Sequence, residues 1–158
     1  MVTVSTSSAA GESTDESGPK LAGLVSGLAG GDVAVSHLTV GDDRQRIAEL
    51  LSAEIAAGTD LVLTTGGTGM SRDDVTPEAT LDVIEREAPG LAEAIRADSA
   101  TRIATGILSR GVAGIAGRTL IVNLPGSPRA VGESFAVLEP VLPHALAQIG
   151  DDGGRDRH

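Results

Sequence analysis

Apolar residues along the chain follow two periods, one typical of strands and one typical of helices. Short apolar or alternating runs predict five strands, at 1–5, 33–40, 60–65, 112–117 and 119–124. Apolar residues spaced three or four apart predict helices at 17–30, 44–58, 77–86, 91–98, a stretch ending at Leu138, and 141–149. Because parallel strands need crossover connections, this alternation predicts an α/β fold, with a mostly parallel sheet and helices on both faces.

Three loops that follow predicted strands contain the unusual polar residues of the chain, and the first of them is rich in glycine. Residues 64–69 read TTGGTG and comprise Thr64, Thr65, Gly66, Gly67, Thr68 and Gly69. Glycines let backbone N–H groups turn toward a ligand, and threonine hydroxyls add donors, which suits a phosphate. The loop lacks both the Walker sequence and the GxGxxG spacing. The alternative is a tight strand exit that needs glycine for geometry alone.

Four carboxylates accompany these loops. Asp42 and Asp43 follow the second strand, and Asp73 and Asp74 follow the glycine-rich loop. Ligands in this fold class bind beyond the carboxyl ends of strands, so one carboxylate from each pair could share a Mg²⁺ beside a phosphate. The alternative is helix capping, which is the commoner role of an Asp before a helix and the preferred interpretation of Thr76.

The third loop, 123–128 (NLPGSP), places a glycine and a helix start at another strand end, where a nucleotide or phosphate could approach. Its alternative is a Pro-rich turn with Pro at the first helical position. Residues 101–150 contain two acids and four Arg, whereas residues 1–100 contain 17 acids and six bases. These four Arg favour a local basic side that contacts phosphate, and the alternative is a solvated face. They are Arg102, Arg110, Arg118 and Arg129.

Composition removes several classes of function. The formal net charge of -10 is a poor match to nucleic acid, and the single aromatic residue, Phe135, offers no base-stacking platform. Without Cys there is no disulfide, thiolate catalyst or iron–sulfur cluster. The three His residues are too scattered for a metal pair, and His37 and His144 are interpreted as packing or surface residues. With no leader and no run of 18 apolar residues, a cytoplasmic protein without membrane contact is expected.

Three stretches together resemble the Mog and MoaB proteins of molybdenum cofactor biosynthesis. They are LVLTTGGTGMSRDDVTPEAT (61–80), PGLAEAIR (89–96) and SRGVAGIAGRTLIVNLPGSP (109–128). The resemblance covers residues 2–149 and implies a three-layer α/β sandwich. We therefore expect one domain over 1–150, followed by a flexible tail over 151–158.

The resemblance also implies a function, which is adenylylation of molybdopterin with ATP as co-substrate and Mg²⁺ as cofactor. The family's two acids match Asp42 and Asp74, which are expected to bind the metal and act in catalysis. Residues expected to bind pterin or nucleotide are Ser5, the six residues of 64–69 named above, Ser109, Arg110, Asn123, Pro125, Gly126 and Ser127. The resemblance further implies a homo-oligomer, a trimer or hexamer, and a possible transfer of product to a molybdate-inserting enzyme.

Two positions depart from the family pattern. The family commonly has Ser-Asp-Arg after the first strand, where this chain has Ser5, Thr6 and Ser7, and Arg before the second acid, where this chain has Asp73. The alternative function is a noncatalytic pterin-binding protein of the MoaB kind. A third possibility is the role that related domains have in larger molybdate-inserting or pyrophosphatase proteins.

Overall fold

A computed structural model describes residues 1–28 and 33–151, the last without its side chain. The strands are β1 (Val2–Val4), β2 (Leu38–Val40), β3 (Leu61–Thr65), β4 (Arg86–Glu87), β5 (Ala113–Ala116) and β6 (Thr119–Leu124). The helices are α1 (Thr6–Ala9), α2 (Ser17–Ser26), α3 (Arg44–Ala56), α4 (Thr76–Leu81), α5 (Pro89–Arg102), α6 (Pro128–Leu138) and α7 (Leu142–Asp151), with a 3-10 helix at Ala104–Leu108.

The six strands form one sheet in the order β2-β1-β3-β6-β5-β4. The pairs β1–β2, β1–β3 and β3–β6 are parallel, while β5–β6 and β4–β5 are antiparallel. Strands β5 and β6 are antiparallel because only a short connection joins them, and Gly117 in that connection has φ +55°. The carboxyl ends of β1, β2, β3 and β6 therefore share one edge.

The core has two layers because successive strand residues point to opposite faces of the sheet. On one face, Leu63 and Val122 pack with α2, α5, α6 and α7, where Phe135 is the largest buried side chain. On the other face, Val62 and Ile121 pack with α3 and α4. The chain is a three-layer α/β sandwich, as expected, and no helix within its described ranges is both long and apolar enough to cross a membrane.

Several predicted elements differ in extent from the observed ones. The strand predicted over 33–40 forms only at Leu38–Val40, because β1 offers just three residues to pair with it. The helix predicted over 77–86 ends at Leu81, and Arg86 instead lies in β4, where pairing with β5 takes over. The sequence of 7–18, rich in Ser, Gly and acidic residues, predicts a polar loop, yet it contains most of α1 and the start of α2. The helix expected over 91–98 spans Pro89–Arg102. The tail expected at 151–158 lies outside the described residues, apart from Asp151, which ends α7.

Candidate functional site

The glycine-rich loop leaves β3 in a conformation that requires glycine. Gly66 and Gly67 have φ of +91° and +64°, values that L side chains rarely adopt. A Cβ on Gly66 would collide with the Val4 carbonyl oxygen, and one on Gly67 would collide with the Thr76 hydroxyl. Glycine is therefore needed here for strand-exit geometry, the alternative considered for this loop.

The same geometry leaves a set of donors free. The Gly66 N–H donates to the Leu124 carbonyl at 3.1 Å. Among the described residues, the next three N–H groups, those of Gly67, Thr68 and Gly69, have no hydrogen-bond acceptor. Consecutive N–H groups in a turn with positive φ form a concavity that suits an anion. Strand-exit geometry and phosphate binding are thus compatible in this loop.

The three threonine side chains of the loop are buried. The Thr64 hydroxyl accepts a hydrogen bond from the Asn123 side chain at 3.0 Å. The Thr65 hydroxyl has no partner among the described residues, although it is buried. Thr68 is also buried, and its carbonyl accepts from the Arg110 N–H at 2.8 Å. The Thr64 side chain therefore supports the loop from inside.

A cavity of about 190 Å³ opens beside Gly66, at the carboxyl ends of β1 and β3. Gly126 and Pro128 close it from the third loop. Its hydroxyl-bearing lining residues are Thr3, Ser5, Ser8, Thr14, Ser17 and Thr65. No Lys or Arg lines it, while Asp15 and Glu16 do. The cavity suits an uncharged polar group, and anionic groups fit better against the free amides of the glycine-rich loop.

Asp42 lies at the end of β2 and is held by the segment that follows β1. Its Oδ2 accepts from the Thr6 N–H at 2.9 Å and from the Thr6 hydroxyl at 2.8 Å. The Asp42 N–H donates back to the same hydroxyl at 3.1 Å. Asp42 Oδ1 accepts no hydrogen bond from any residue that the structure describes. Its neighbour Asp43 caps α3, accepting from the Arg46 N–H at 2.9 Å.

Asp74 lies between the glycine-rich loop and α4. Its Oδ2 accepts from the Ser71 N–H at 2.9 Å, and Oδ1 has no hydrogen-bond donor within the described ranges. The prediction that Thr76 caps α4 was wrong. The N-cap position is Val75, and Thr76 is the first helical residue, so its N–H instead donates to the Gly67 carbonyl at 3.1 Å.

Arg110 contacts the protein with most of its donors. Its Nε donates to the Gly69 carbonyl at 2.8 Å, and Nη2 donates to the Asp74 carbonyl at 2.6 Å. Its guanidinium also pairs with the carboxylate of Glu78 on α4. The hydrogen bond from Arg110 lowers the pKa of Glu78 although partial burial opposes it, and the same hydrogen bond raises the pKa of Arg110. Neighbouring Ser109 accepts from the Gly111 N–H at 3.4 Å.

Asn123 is buried in β6, and its side-chain amide makes three hydrogen bonds. Its side-chain N–H groups donate to the hydroxyls of Thr64 at 3.0 Å and Thr80 at 2.9 Å, and Oδ1 accepts from the Val112 N–H at 3.1 Å. A ligand could reach this amide only by displacing those partners. Ligand contact by Asn123 stays a prediction, and in this structure its side chain joins β6 to β3 and α4.

The rest of the third loop and the residue after β1 lie at the edge of the sheet where the parallel strands end. Pro125 is half-buried, Gly126 accepts at its carbonyl from the Ser17 hydroxyl at 2.6 Å, and Ser127 caps α6 by accepting from the Ala130 N–H. Ser5 caps α1 by accepting from the Ser8 N–H at 3.2 Å. The local capping predicted by the alternative interpretation of 123–128 is present, and Gly126 also lines the cavity.

Asp42 follows β2, and Asp74 lies beyond the glycine-rich loop that follows β3; both strands flank β1 in the sheet. Residues 1–28 and 33–151 contain no group of three or more His, Asp or Glu side chains that could hold a metal. Mg²⁺ commonly uses one or two carboxylates together with waters and substrate phosphates. Two carboxylates with a free oxygen each fit a Mg²⁺ that arrives with a nucleotide, and do not fit an all-protein metal cage.

Sequence reasoning missed a polar cluster beside the cavity. Asp15 accepts from the Gly18 N–H at 2.9 Å and lies 3.0 Å from His37 Nε2, which is 2.9 Å from the Thr3 hydroxyl. Burial raises the pKa of Asp15, but hydrogen bonds from Gly18 and Thr3 and the nearby His37 ring lower it overall. The available signal was the break in strand alternation at His37.

Comparisons with known proteins identify the family of this chain. A family model described as a probable molybdopterin binding domain matches residues 1–144. The molybdopterin adenylyltransferase of Haemophilus influenzae is 47% identical over 95 residues, which are 59% of this chain and 48% of that protein. The chain spans about half the length, or less, of the curated relatives that it matches.

Solved structures match over nearly the full chain. A structure described as an anomalous substructure of MogA is 47% identical, with a TM-score of 0.89, and the match covers 94% of this chain and 96% of that one. The MoaB structure from Thermus thermophilus is 43% identical, with a TM-score of 0.85 and coverage of 94% and 92%. The chain therefore belongs to the family of probable molybdopterin binding domains, in which Mog and MoaB structures are its neighbours.

Proposed function

We propose that this protein is a molybdopterin adenylyltransferase that uses ATP and Mg²⁺. The observation that carries the proposal is that three consecutive N–H groups, of Gly67, Thr68 and Gly69, have no acceptor among residues 1–28 and 33–151 and lie on the loop leading to Asp74. Asp42 follows β2, the strand next to β1, and its Oδ1 accepts no hydrogen bond from the residues that the structure describes. An anion cradle beside two carboxylates suits a nucleotide phosphate with a divalent cation. Relatives named molybdopterin adenylyltransferase support the choice of substrates.

In the proposed reaction, an oxygen of the terminal phosphate of molybdopterin attacks the α-phosphorus of ATP. A new P–O bond forms, the bond to the β-phosphate oxygen breaks, and pyrophosphate leaves. The attacking oxygen is already anionic, so alignment and charge neutralisation matter more than a general base. When bound by Asp42 and Asp74, Mg²⁺ supplies positive charge beside the phosphates.

The residues of this chain have separate tasks in that reaction. The free amides of the glycine-rich loop bind phosphate oxygens, since backbone N–H groups need no reorganisation as charge develops. Thr6 holds one carboxylate oxygen of Asp42, and the Ser71 N–H holds one carboxylate oxygen of Asp74. In each carboxylate the other oxygen is directed away from that partner. The hydroxyl-rich cavity beside Gly66 receives an uncharged part of a substrate.

The test is anaerobic incubation of the purified protein with molybdopterin, ATP and MgCl₂, followed by detection of adenylylated pterin and pyrophosphate. We expect product that requires Mg²⁺. Asp74→Asn is expected to abolish turnover and keep pterin binding. Asp60→Asn is the matched control, because Asp60 pairs with Arg118 at 3.0 Å, just before β3 and away from the candidate site.

The second candidate function is noncatalytic pterin binding of the MoaB kind. The observation that favours it is the departure from the family pattern, with Thr6 and Ser7 in place of Asp-Arg and Asp73 in place of Arg. Wild-type protein that binds pterin and yields neither pyrophosphate nor adenylylated product would support this candidate. Asp74→Asn would then leave binding unchanged, with no turnover to lose.

We also propose a homo-oligomer, a trimer or hexamer, located in the cytoplasm, that passes its product to a molybdate-inserting enzyme. Three exposed apolar side chains near the 3-10 helix support self-association, since such side chains favour contact with a partner. They are Ile103, Ile107 and Leu108. Light scattering on the gel-filtration peak tests this proposal, and a monomer mass would contradict it.

A further inference from the structure

Arg110 connects two ends of the segment that joins the glycine-rich loop to α4. At one end its N–H donates to the Thr68 carbonyl and Nε donates to the Gly69 carbonyl, both at 2.8 Å. At the other end Nη2 donates to the Asp74 carbonyl at 2.6 Å. Its guanidinium is held in turn by Glu78, in the first turn of α4. The Arg110 side chain thus brackets residues 69–74, and its backbone N–H holds Thr68 beside them.

The bracketed segment has little else to hold it. Between Gly69 and Asp74, the other hydrogen bonds within the described residues are local, such as those from the Asp74 N–H to the Ser71 carbonyl and from the Ser71 N–H to Asp74 Oδ2. Met70 is 67% exposed and adds no buried apolar anchor. A segment with few buried contacts opens readily, unless a bridge to another element restrains it.

Glu78 makes that bridge specific. An Arg–carboxylate pair has a planar fork geometry, and its charge-assisted hydrogen bonds are about twice as strong as neutral ones. The guanidinium is only 34% exposed and is aimed at carbonyl oxygens of the segment, with one Nη1 hydrogen left uncommitted. Lys at this position would keep the charge but could not reach three acceptors in one plane.

We propose that Arg110 and Glu78 act together as positioning residues that fix the backbone of Asp74 and the free amides of the glycine-rich loop. Arg110 is committed to this support and is not a direct phosphate ligand. The inference rests on the proposed function in one respect, which is that a fixed Asp74 promotes catalysis. Its structural part, an Arg110–Glu78 restraint on residues 68–74, stands without that function.

Hydrogen exchange on the ligand-free protein tests the structural part. We expect the Ser71 and Asp74 amides, which are hydrogen-bonded within the segment, to exchange faster by about tenfold or more in Arg110→Lys and in Glu78→Gln, the factor that loss of one charge-assisted hydrogen bond implies. The double variant is expected to add little to either single change, because both remove one unit. Matched controls are Arg118→Lys and Glu133→Gln, in ion pairs outside the segment. Unchanged exchange in both single variants would overturn the proposal.

Steady-state kinetics test the catalytic part. For positioning, kcat falls about tenfold in both variants while KM for ATP and for pterin changes little. A raised KM in Arg110→Lys, with segment exchange as in wild type, would show direct ligand contact and overturn the proposal. If wild type lacks turnover, the proposed function fails, whereas the exchange result still decides whether Arg110 and Glu78 hold the segment.

Discussion

Replacement of Asn123 by Ala should damage the fold before it affects any ligand. The change removes three hydrogen bonds of 2.9 to 3.1 Å and leaves the Val112 N–H and the Thr64 hydroxyl without this partner inside the sheet. At about 1 kcal/mol for each net hydrogen bond, the free energy of unfolding falls by about 3 kcal/mol. For a domain of this size, about 3 kcal/mol lowers Tm by about 6–12 °C.

Urea denaturation followed by circular dichroism, at one fixed protein concentration, measures this change. The control is Ser127→Ala in the same loop, which removes an exposed helix cap and costs about 1 kcal/mol. If Asn123→Ala unfolds within 0.5 kcal/mol of wild type, a threshold of about the usual additivity error, and loses pterin binding, the amide faces the ligand. That result would refute the structural role assigned to Asn123.

Three further predictions concern the site and its supports. Thr6→Val removes two of the three hydrogen bonds to Asp42 and should raise the Mg²⁺ concentration for half-maximal turnover about tenfold, while Thr6→Ser should not. Gly67→Ala should lower the free energy of unfolding by about 1–3 kcal/mol because of its positive φ, whereas Gly23→Ala, in open space on α2, should cost nothing in the same urea titration. Asp15 has a lowered pKa, so its stabilising contribution is present above its unfolded pKa and is lost as pH falls through its folded pKa. Asp15→Asn should therefore be less stable than wild type at neutral pH. The two free energies of unfolding should begin to approach each other as pH falls below about 4, and should meet only below the folded pKa of Asp15.

The layer order of the fold could be predicted from periodicity, and the pairing details could not. Apolar runs identified β3 and β6, which are buried on both faces, because burial leaves a continuous apolar pattern. The run at 33–40 also predicts a strand, although its alternation breaks at His37, and only Leu38–Val40 finds a partner strand. Composition also does not show that β4 and β5 run antiparallel at one edge, since that depends on which neighbour each strand meets.

The site residues divide in the same way. Glycines and acids next to strand ends could be predicted, because Gly66 and Gly67 are required by backbone geometry and the carboxyl ends of parallel strands meet at one edge. The contacts of Arg110 with Glu78 join residues 32 positions apart, and local pattern contains no signal for them. Thr6, noted in sequence as a departure from the family pattern, is the residue that holds Asp42.

The most direct measurement is the yield of adenylylated pterin and pyrophosphate from molybdopterin and ATP, with and without Mg²⁺, for wild type and for Asp74→Asn. The predicted result is equal amounts of both products from wild type only when Mg²⁺ is present, and neither product from Asp74→Asn. Wild-type protein that binds molybdopterin tightly and releases no pyrophosphate at any Mg²⁺ concentration would contradict the adenylyltransferase function.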